Sequence, residues 1–117
     1  MKREFIELTI FTNNWKKLEL TDADLLELQN YIINKPHLGK VIQGTDGLRK
    51  IRIALGNGGK SSGGRVIYVD FVSFGKTYLL NVYAKNAKEN LTSDEKRIIN
   101  KLIKEIEQEL RKGDKNE

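Results

Sequence analysis

The 117-residue chain has no cysteine, one histidine and one proline, and each scarcity removes a class of chemistry. Without cysteine there is neither a disulfide framework nor a thiolate metal site. His37, standing alone, cannot build a histidine cluster. No apolar run approaches the roughly 18 residues that a membrane helix requires, so no membrane association is expected. The charged start Met1-Lys2-Arg3-Glu4 is followed only by Phe5 to Phe11, interrupted by Glu7 and Thr9. That stretch is too short and too polar for a secretory signal. With 38% hydrophobic and 32% charged residues, the composition is that of one soluble, cytoplasmic domain, expected to work without metal or cofactor. The chain is too short for a second core. Residues 1–112 are expected to form the domain and 113–117 a short polar tail.

Another absence is local. Between Leu48 and Arg65 lie Arg49, Lys50, Arg52, Lys60 and Arg65, with no aspartate or glutamate among them. The whole chain carries a net charge of +5, so this segment accounts for all of it and the rest balances. A patch of one sign attracts phosphates and raises encounter rates with nucleic acid. On charge alone, a solvated surface strand-loop-strand is the better explanation of the segment.

Hydrophobic periodicity outlines the elements. Phe5 to Ile10 mixes β-branched and aromatic residues and predicts a first strand. Asn13 or Asn14 then caps a short helical turn through Trp15 and Leu18. Thr21 opens a longer helix with acids in its first turn, and Leu25, Leu28 and Ile32 form its apolar stripe, with Leu26 and Ile33 beside them. Pro36 ends it, because the residue before proline is pushed out of helical conformation. From Leu48 to Leu55 the pattern alternates: Arg49, Ile51, Ile53 and Leu55 share one face, Leu48, Lys50, Arg52 and Ala54 the other. Arg65 to Ser73 and Lys76 to Lys85 read as two more strands joined by a tight Phe74-Gly75 turn. Gly56 to Gly64 reads as a long hairpin loop. Thr92 and Glu95 form a capping box, and Ile99, Leu102, Ile103, Ile106 and Leu110 make the stripe of a final helix ending at Gly113. The expected fold is α+β: a small, antiparallel-rich twisted sheet with N-terminal helices and a C-terminal helix, the helices on one face.

Most apparent motifs dissolve on inspection. The run from Ala54 to Ser61 resembles a phosphate-binding loop, but such a loop needs glycine where Ala54 stands and a helix directly after the serine. Asp22, Asp24, Asp94 and Glu95 sit at helix starts, where capping accounts for them. Ser61 and Ser62 have no histidine or acid partner. What remains is a cationic and aromatic set on the strands: Lys50, Arg52, Arg65, Tyr83 and Lys85. If the three strands are neighbours, these side chains converge in one groove. Cleavage of RNA through its 2′-hydroxyl needs a base, cations on the phosphate and an acid for the leaving oxygen. A lysine among other cations can act as base, arginines can clamp the phosphate in two-pronged geometry, and Tyr83 can stack on a base or hydrogen-bond near the scissile group. From chemistry alone, binding and cleavage stand equal.

The ordered segments Val41 to Thr45, Asp46 to Ala54, Gly64 to Tyr68, Tyr78 to Leu80, Tyr83 to Asn86 and Leu91-Thr92 resemble the HigB branch of the RelE/ParE toxins, over roughly Phe5 to Leu110. The resemblance implies a sheet flanked by helices and cleavage of mRNA on the ribosome. It also implies a neighbouring helix-turn-helix antitoxin, HigA-like, as partner. It casts Lys50, Arg52, Arg65 and Lys85 as catalytic cations. Arg49, Lys60, Asn86 and Lys88 are expected as RNA or ribosome contacts around them. Two positions depart from the family. A second arginine is replaced by Asn86, and the usual tyrosine near the final helix by Thr92, which leaves Tyr83 to substitute. Retention of Lys50, Arg52 and Arg65 favours the ribonuclease over the gyrase-directed members or a non-catalytic RNA binder.

Overall fold

The two strands richest in β-branched and aromatic residues form the centre of the sheet. A computed structural model of the chain describes residues 3–35, 39–55, 63–87 and 90–115, with side chains as far as 113. Strand β1 covers Glu4–Glu7, β2 Lys40–Val41, β3 Arg49–Ile53, β4 Gly64–Phe71 and β5 Lys76–Ala84; helix α1 covers Thr9–Lys17, α2 Asp22–Asn34 and α3 Ser93–Lys115. The sheet order is β1-β5-β4-β3-β2. β1 runs parallel to β5, and the other neighbours are antiparallel. A 3-10 turn at Val72–Phe74 closes the β4–β5 hairpin, with Gly75 at φ 63°, a left-handed position that glycine takes without steric cost.

The core lies on both faces of the sheet, a departure from the one-sided arrangement expected from sequence. Phe11 and Trp15 of α1 and Leu28 and Ile32 of α2 meet Ile51, Val66, Tyr68, Leu79 and Val82. On the opposite face Ile103 of α3 meets Leu48, Ile67, Val69, Phe71, Leu80 and Tyr83. The strands explain this: β4 is buried at nearly every position, so both of its faces need cover.

Two boundaries differ from the sequence reading. The first strand stops at Glu7 and a helix begins at Thr9, where strand had been expected through Ile10. Phe11 and Trp15, four residues apart, stack with ring centroids 5.3 Å apart and are both buried, so packing overrides the local β-propensity of Thr9-Ile10. At the other end α3 passes through Gly113 to Lys115. The two-residue β2 was not anticipated. Asn13 and Asn14, expected as caps, lie inside α1, because the helix already begins at Thr9. Other signals hold: α2 ends before Pro36, Thr21 caps it in a reciprocal box with Asp24, and Thr92–Glu95 forms the expected capping box.

A bulge in β5 determines what faces what. Ile67 opposes Asn81, but the next residue, Tyr68, opposes Leu79, which leaves Leu80 without a partner of its own. The extra residue reverses the alternation, so Leu80 and Tyr83 point to the same face of the sheet. The Asn81 side-chain oxygen stabilises the irregularity by accepting from the Val82 N–H at 2.8 Å and from Asn14 Nδ2 at 2.7 Å. Far from this point, Arg3 hydrogen-bonds and ion-pairs with Asp70 and lies 3.3 Å from the Thr77 hydroxyl, tying the N-terminal strand to the β4–β5 hairpin.

Candidate nucleic-acid interface

Antiparallel register places Arg52 opposite Arg65, and Arg65 opposite Tyr83, in one row across β3, β4 and β5. Residues directly opposite in such a ladder project to the same side. One step away Lys40 opposes Lys50. Together with Lys85, just past the end of β5, these cations line a groove of about 720 Å³, with Tyr31 and Ile51 at its rim and Asn90 near the start of α3. Lys85 is fixed there by its backbone, whose N–H donates to the Gly63 carbonyl at 3.0 Å.

The electrostatics of the groove are one-sided. Among the described residues no carboxylate pairs with Lys40, Lys50, Arg52, Arg65 or Lys85. Arg65 is only 9% exposed, and its guanidinium donates to the Gly64 carbonyl at 3.0 Å. Like charges set opposite each other destabilise a sheet. Two such pairs side by side, with no acid between them among the described residues, make a site that gains from binding an anion. Phosphates are the fitting ligand for cations spaced along adjacent strands.

Tyr83 belongs to the same row but not to the groove's open surface. It is 9% exposed, its ring sits in the α3-side core, and its hydroxyl is buried without a partner among the described residues. Burial pushes its pKa above the usual tyrosine value, with Glu95 adding to the rise and Arg65 opposing it. The hydroxyl therefore stays protonated and is a hydrogen-bond donor. A ring in the core has no face free to stack on a base.

The remaining expected contacts separate. Arg49 points to the other face, where its guanidinium donates to the Gly39 carbonyl at 2.7 Å. The Tyr68 hydroxyl accepts from the Gly39 N–H, so Gly39 is held from two sides, and a Cβ there would lie 2.8 Å from that hydroxyl. Asn86 is exposed beside Lys85. Lys60 and Lys88, the Gly56 to Ser62 part of the glycine loop, and His37 lie outside the described residues. Thr92 is occupied in the α3 capping box. Sequence reasoning missed Lys40, Tyr31 and Asn90. Lys40 follows from the overlooked β2, and Tyr31 comes from α2, which sequence alone could not place against β3.

Among the described residues no group of three or more histidine, aspartate or glutamate side chains is arranged to hold a metal ion, and no helix is long and apolar enough to cross a membrane.

The architecture, helices around a five-stranded mixed sheet with a cationic row on its central strands, is a RelE-like α+β fold. The structure of an arginine-substituted mutant of the E. coli toxin RelE in the free state is similar to it, with a TM-score of 0.54 and 18% sequence identity. The match covers 76% of this chain and 90% of that one. No protein-family model matches the chain.

Proposed function

We propose that this chain is the toxin of a type II toxin–antitoxin pair, a ribosome-dependent endoribonuclease of the HigB kind that cuts translated mRNA in the cytoplasm. The observation that carries the reading is the groove in which Lys40, Lys50, Arg52, Arg65 and Lys85 gather with no acidic partner among the described residues. The RelE-like fold supports it. The partner class is a HigA-like helix-turn-helix antitoxin, and the substrate is mRNA held on the ribosome.

In this reading the 2′-oxygen of one ribose attacks the adjacent phosphorus. The O2′–P bond forms, the P–O5′ bond breaks, and the products are a 2′,3′-cyclic phosphate and a 5′-hydroxyl. Arg52 and Arg65, opposite each other across two strands, clamp the phosphate and stabilise the added charge of the transition state. Lys50 and Lys85 border the same groove and are its proton-transfer groups, one receiving the 2′-hydroxyl proton and the other supplying the leaving oxygen. Tyr83 contributes from behind the groove, as a protonated donor beside Arg65. Side-chain cations carry the phosphate charge, so the reaction is assigned no metal. Arg49, Asn86, Lys60 and Lys88 are proposed as flanking ribosome contacts.

The test is expression of wild type and Arg65→Ala, with polysome profiles, RNA end mapping and circular dichroism of the purified proteins. Wild type should arrest growth and cut translated messages, while a folded Arg65→Ala should do neither. Growth arrest with a DNA-damage response and intact mRNA would point to a gyrase-directed toxin instead. A fully toxic, folded Arg65→Ala would exclude the assigned role.

A further inference from the structure

A second cavity, of about 250 Å³, lies on the other side of the same strand, between β3 and α2. Asp24, Glu27, Leu28 and Tyr31 reach it from one face of α2, at helical spacing, and Ile51 to Ala54 line it from β3. Trp15 and Leu20 close it from α1 and the loop after it. Tyr31, Ile51 and Arg52 border both this cavity and the cationic groove. The two spaces meet beyond the end of β2, which pairs only with Arg49 and Lys50, so that among the described residues the edge at Ile51 to Ile53 has no strand partner on that side.

The linings of the two spaces differ in charge. The groove carries five cations, whereas the cavity carries two carboxylates on apolar and aromatic walls, with Arg52 as its one cation among the described residues, at the border the two spaces share. A phosphate is held better by the five cations of the groove than beside Asp24 and Glu27, so a strand crossing this edge at Arg52 leaves its backbone in the groove and can turn a base into the cavity. The volume falls below the roughly 300–1,000 Å³ of pockets for drug-sized ligands and suits a fragment the size of a single base. Tyr31, 50% exposed at the junction, offers a face for stacking.

We infer that this cavity is a base-reading pocket for guanine, with Tyr31 as the stacking residue and Glu27 as the reader of the base edge; the inference rests on the proposed RNA-cleaving function and adds its sequence preference. Asp24 is already engaged, its carboxylate accepting from the Thr21 N–H at 2.8 Å. Glu27 has no partner among the described residues. An ionised carboxylate only accepts, through two oxygens. Guanine presents two adjacent donors, its ring N–H and its exocyclic amine, which match those oxygens in a two-pronged, charge-assisted pair. Cytosine and adenine each offer one amine, and uracil sets a carbonyl on either side of its single ring N–H. The order of preference is therefore guanine first and uracil last.

Two measurements test this separately from cleavage itself. In the first, purified protein is titrated with guanosine 5′-monophosphate and with uridine 5′-monophosphate, followed by backbone amide NMR signals. The guanosine nucleotide should shift signals at residues 24–31 and 51–54 and bind at least tenfold more tightly. Glu27→Gln should abolish that ratio, Tyr31→Phe should keep it, and Tyr31→Ala should weaken both nucleotides. Equal affinities, with shifts confined to Lys50, Arg65 and Lys85, would overturn the inference. In the second, cut positions are mapped across transcripts in cells expressing wild type or Glu27→Gln. Guanine should be enriched at one fixed position relative to the cut in wild type and should lose that enrichment in the variant. Cuts with the same sequence context in both proteins would refute the pocket and leave the ribonuclease standing. Guanosine binding at residues 24–31 without any cuts would uphold the pocket and remove the ribonuclease.

Discussion

Neutralising Arg52 should make the protein more stable while weakening its hold on RNA. Arg52 faces Arg65 directly across the β3–β4 ladder, and Lys40 faces Lys50 one step away, with no acid paired to any of the four among the described residues. Two unit charges about 6 Å apart repel by roughly 0.7 kcal/mol in water and about 3 kcal/mol at an effective dielectric near 20. Arg52 is exposed and Arg65 is nearly buried, so the repulsion falls toward the lower end, at about 1 kcal/mol, the top of the range for cross-strand pairs. Glutamine keeps most of the side-chain length and removes the charge. Arg52→Gln should therefore raise the melting temperature by about 3–5 °C at low ionic strength. At 1 M salt, where the Debye length shrinks to about 3 Å, the gain should largely vanish. Thermal melts by circular dichroism at 20 mM and 1 M salt measure both numbers. An Arg52→Gln protein that melts lower than wild type at low salt, or whose gain ignores salt, would refute the view that the row is strained by its own charge.

Tyr83→Phe removes a buried hydroxyl that has no partner among the described residues, so it should stabilise the protein by about 1 kcal/mol yet lower RNA cleavage tenfold or more, a pair of effects that a folding defect cannot produce. Burial raises the pKa of both Tyr83 and Tyr68 above the unfolded value, so neither affects stability below about pH 10, and stability should fall as pH rises above it. Denaturant titrations between pH 8 and 11 should show a shallower fall for Tyr83→Phe than for wild type. Arg3→Ala should cost about 3 kcal/mol in urea denaturation, because it strands the nearly buried Asp70 carboxylate, whose second oxygen already lacks a partner among the described residues. If the five groove cations each contact one phosphate, binding of single-stranded RNA should fall with salt at a log–log slope of roughly −3.5, and Lys85→Ala should reduce the slope by roughly 0.7. An unchanged slope in Lys85→Ala would remove that residue from the groove.

The interface was legible in the sequence to the extent that short-range rules govern it. Alternation from Leu48 to Leu55 separated Lys50 and Arg52 from Arg49, and the structure keeps that division, with Arg49 bonded to Gly39 on the far face. The Thr92–Glu95 capping box and the Thr21 cap were legible because their partners stand three residues away, although the return bond from Asp24 to Thr21 was not foreseen. The pairing of Arg52 with Arg65 needed register, and the facing of Tyr83 needed the Leu80 bulge, whose support by Asn14 spans 67 residues. Neither has a local signature. The start of α1 was misread because Thr9 and Ile10 favour strand locally, whereas burial of Phe11 and Trp15 against the sheet decides for helix. The distribution of helices over both faces depends on how thoroughly β4 is buried, and a continuous apolar run does not by itself say on which side its cover lies.

The most direct test of the central claim is primer extension on one well-translated mRNA during induction of the toxin, beside the same mRNA with its start codon removed. Cleavage by the cationic groove on the ribosome predicts new 5′ ends within the coding region of the translated message alone, and none with Arg65→Ala. Equal cutting of both messages, or no new ends in a strain whose growth has stopped, would contradict it.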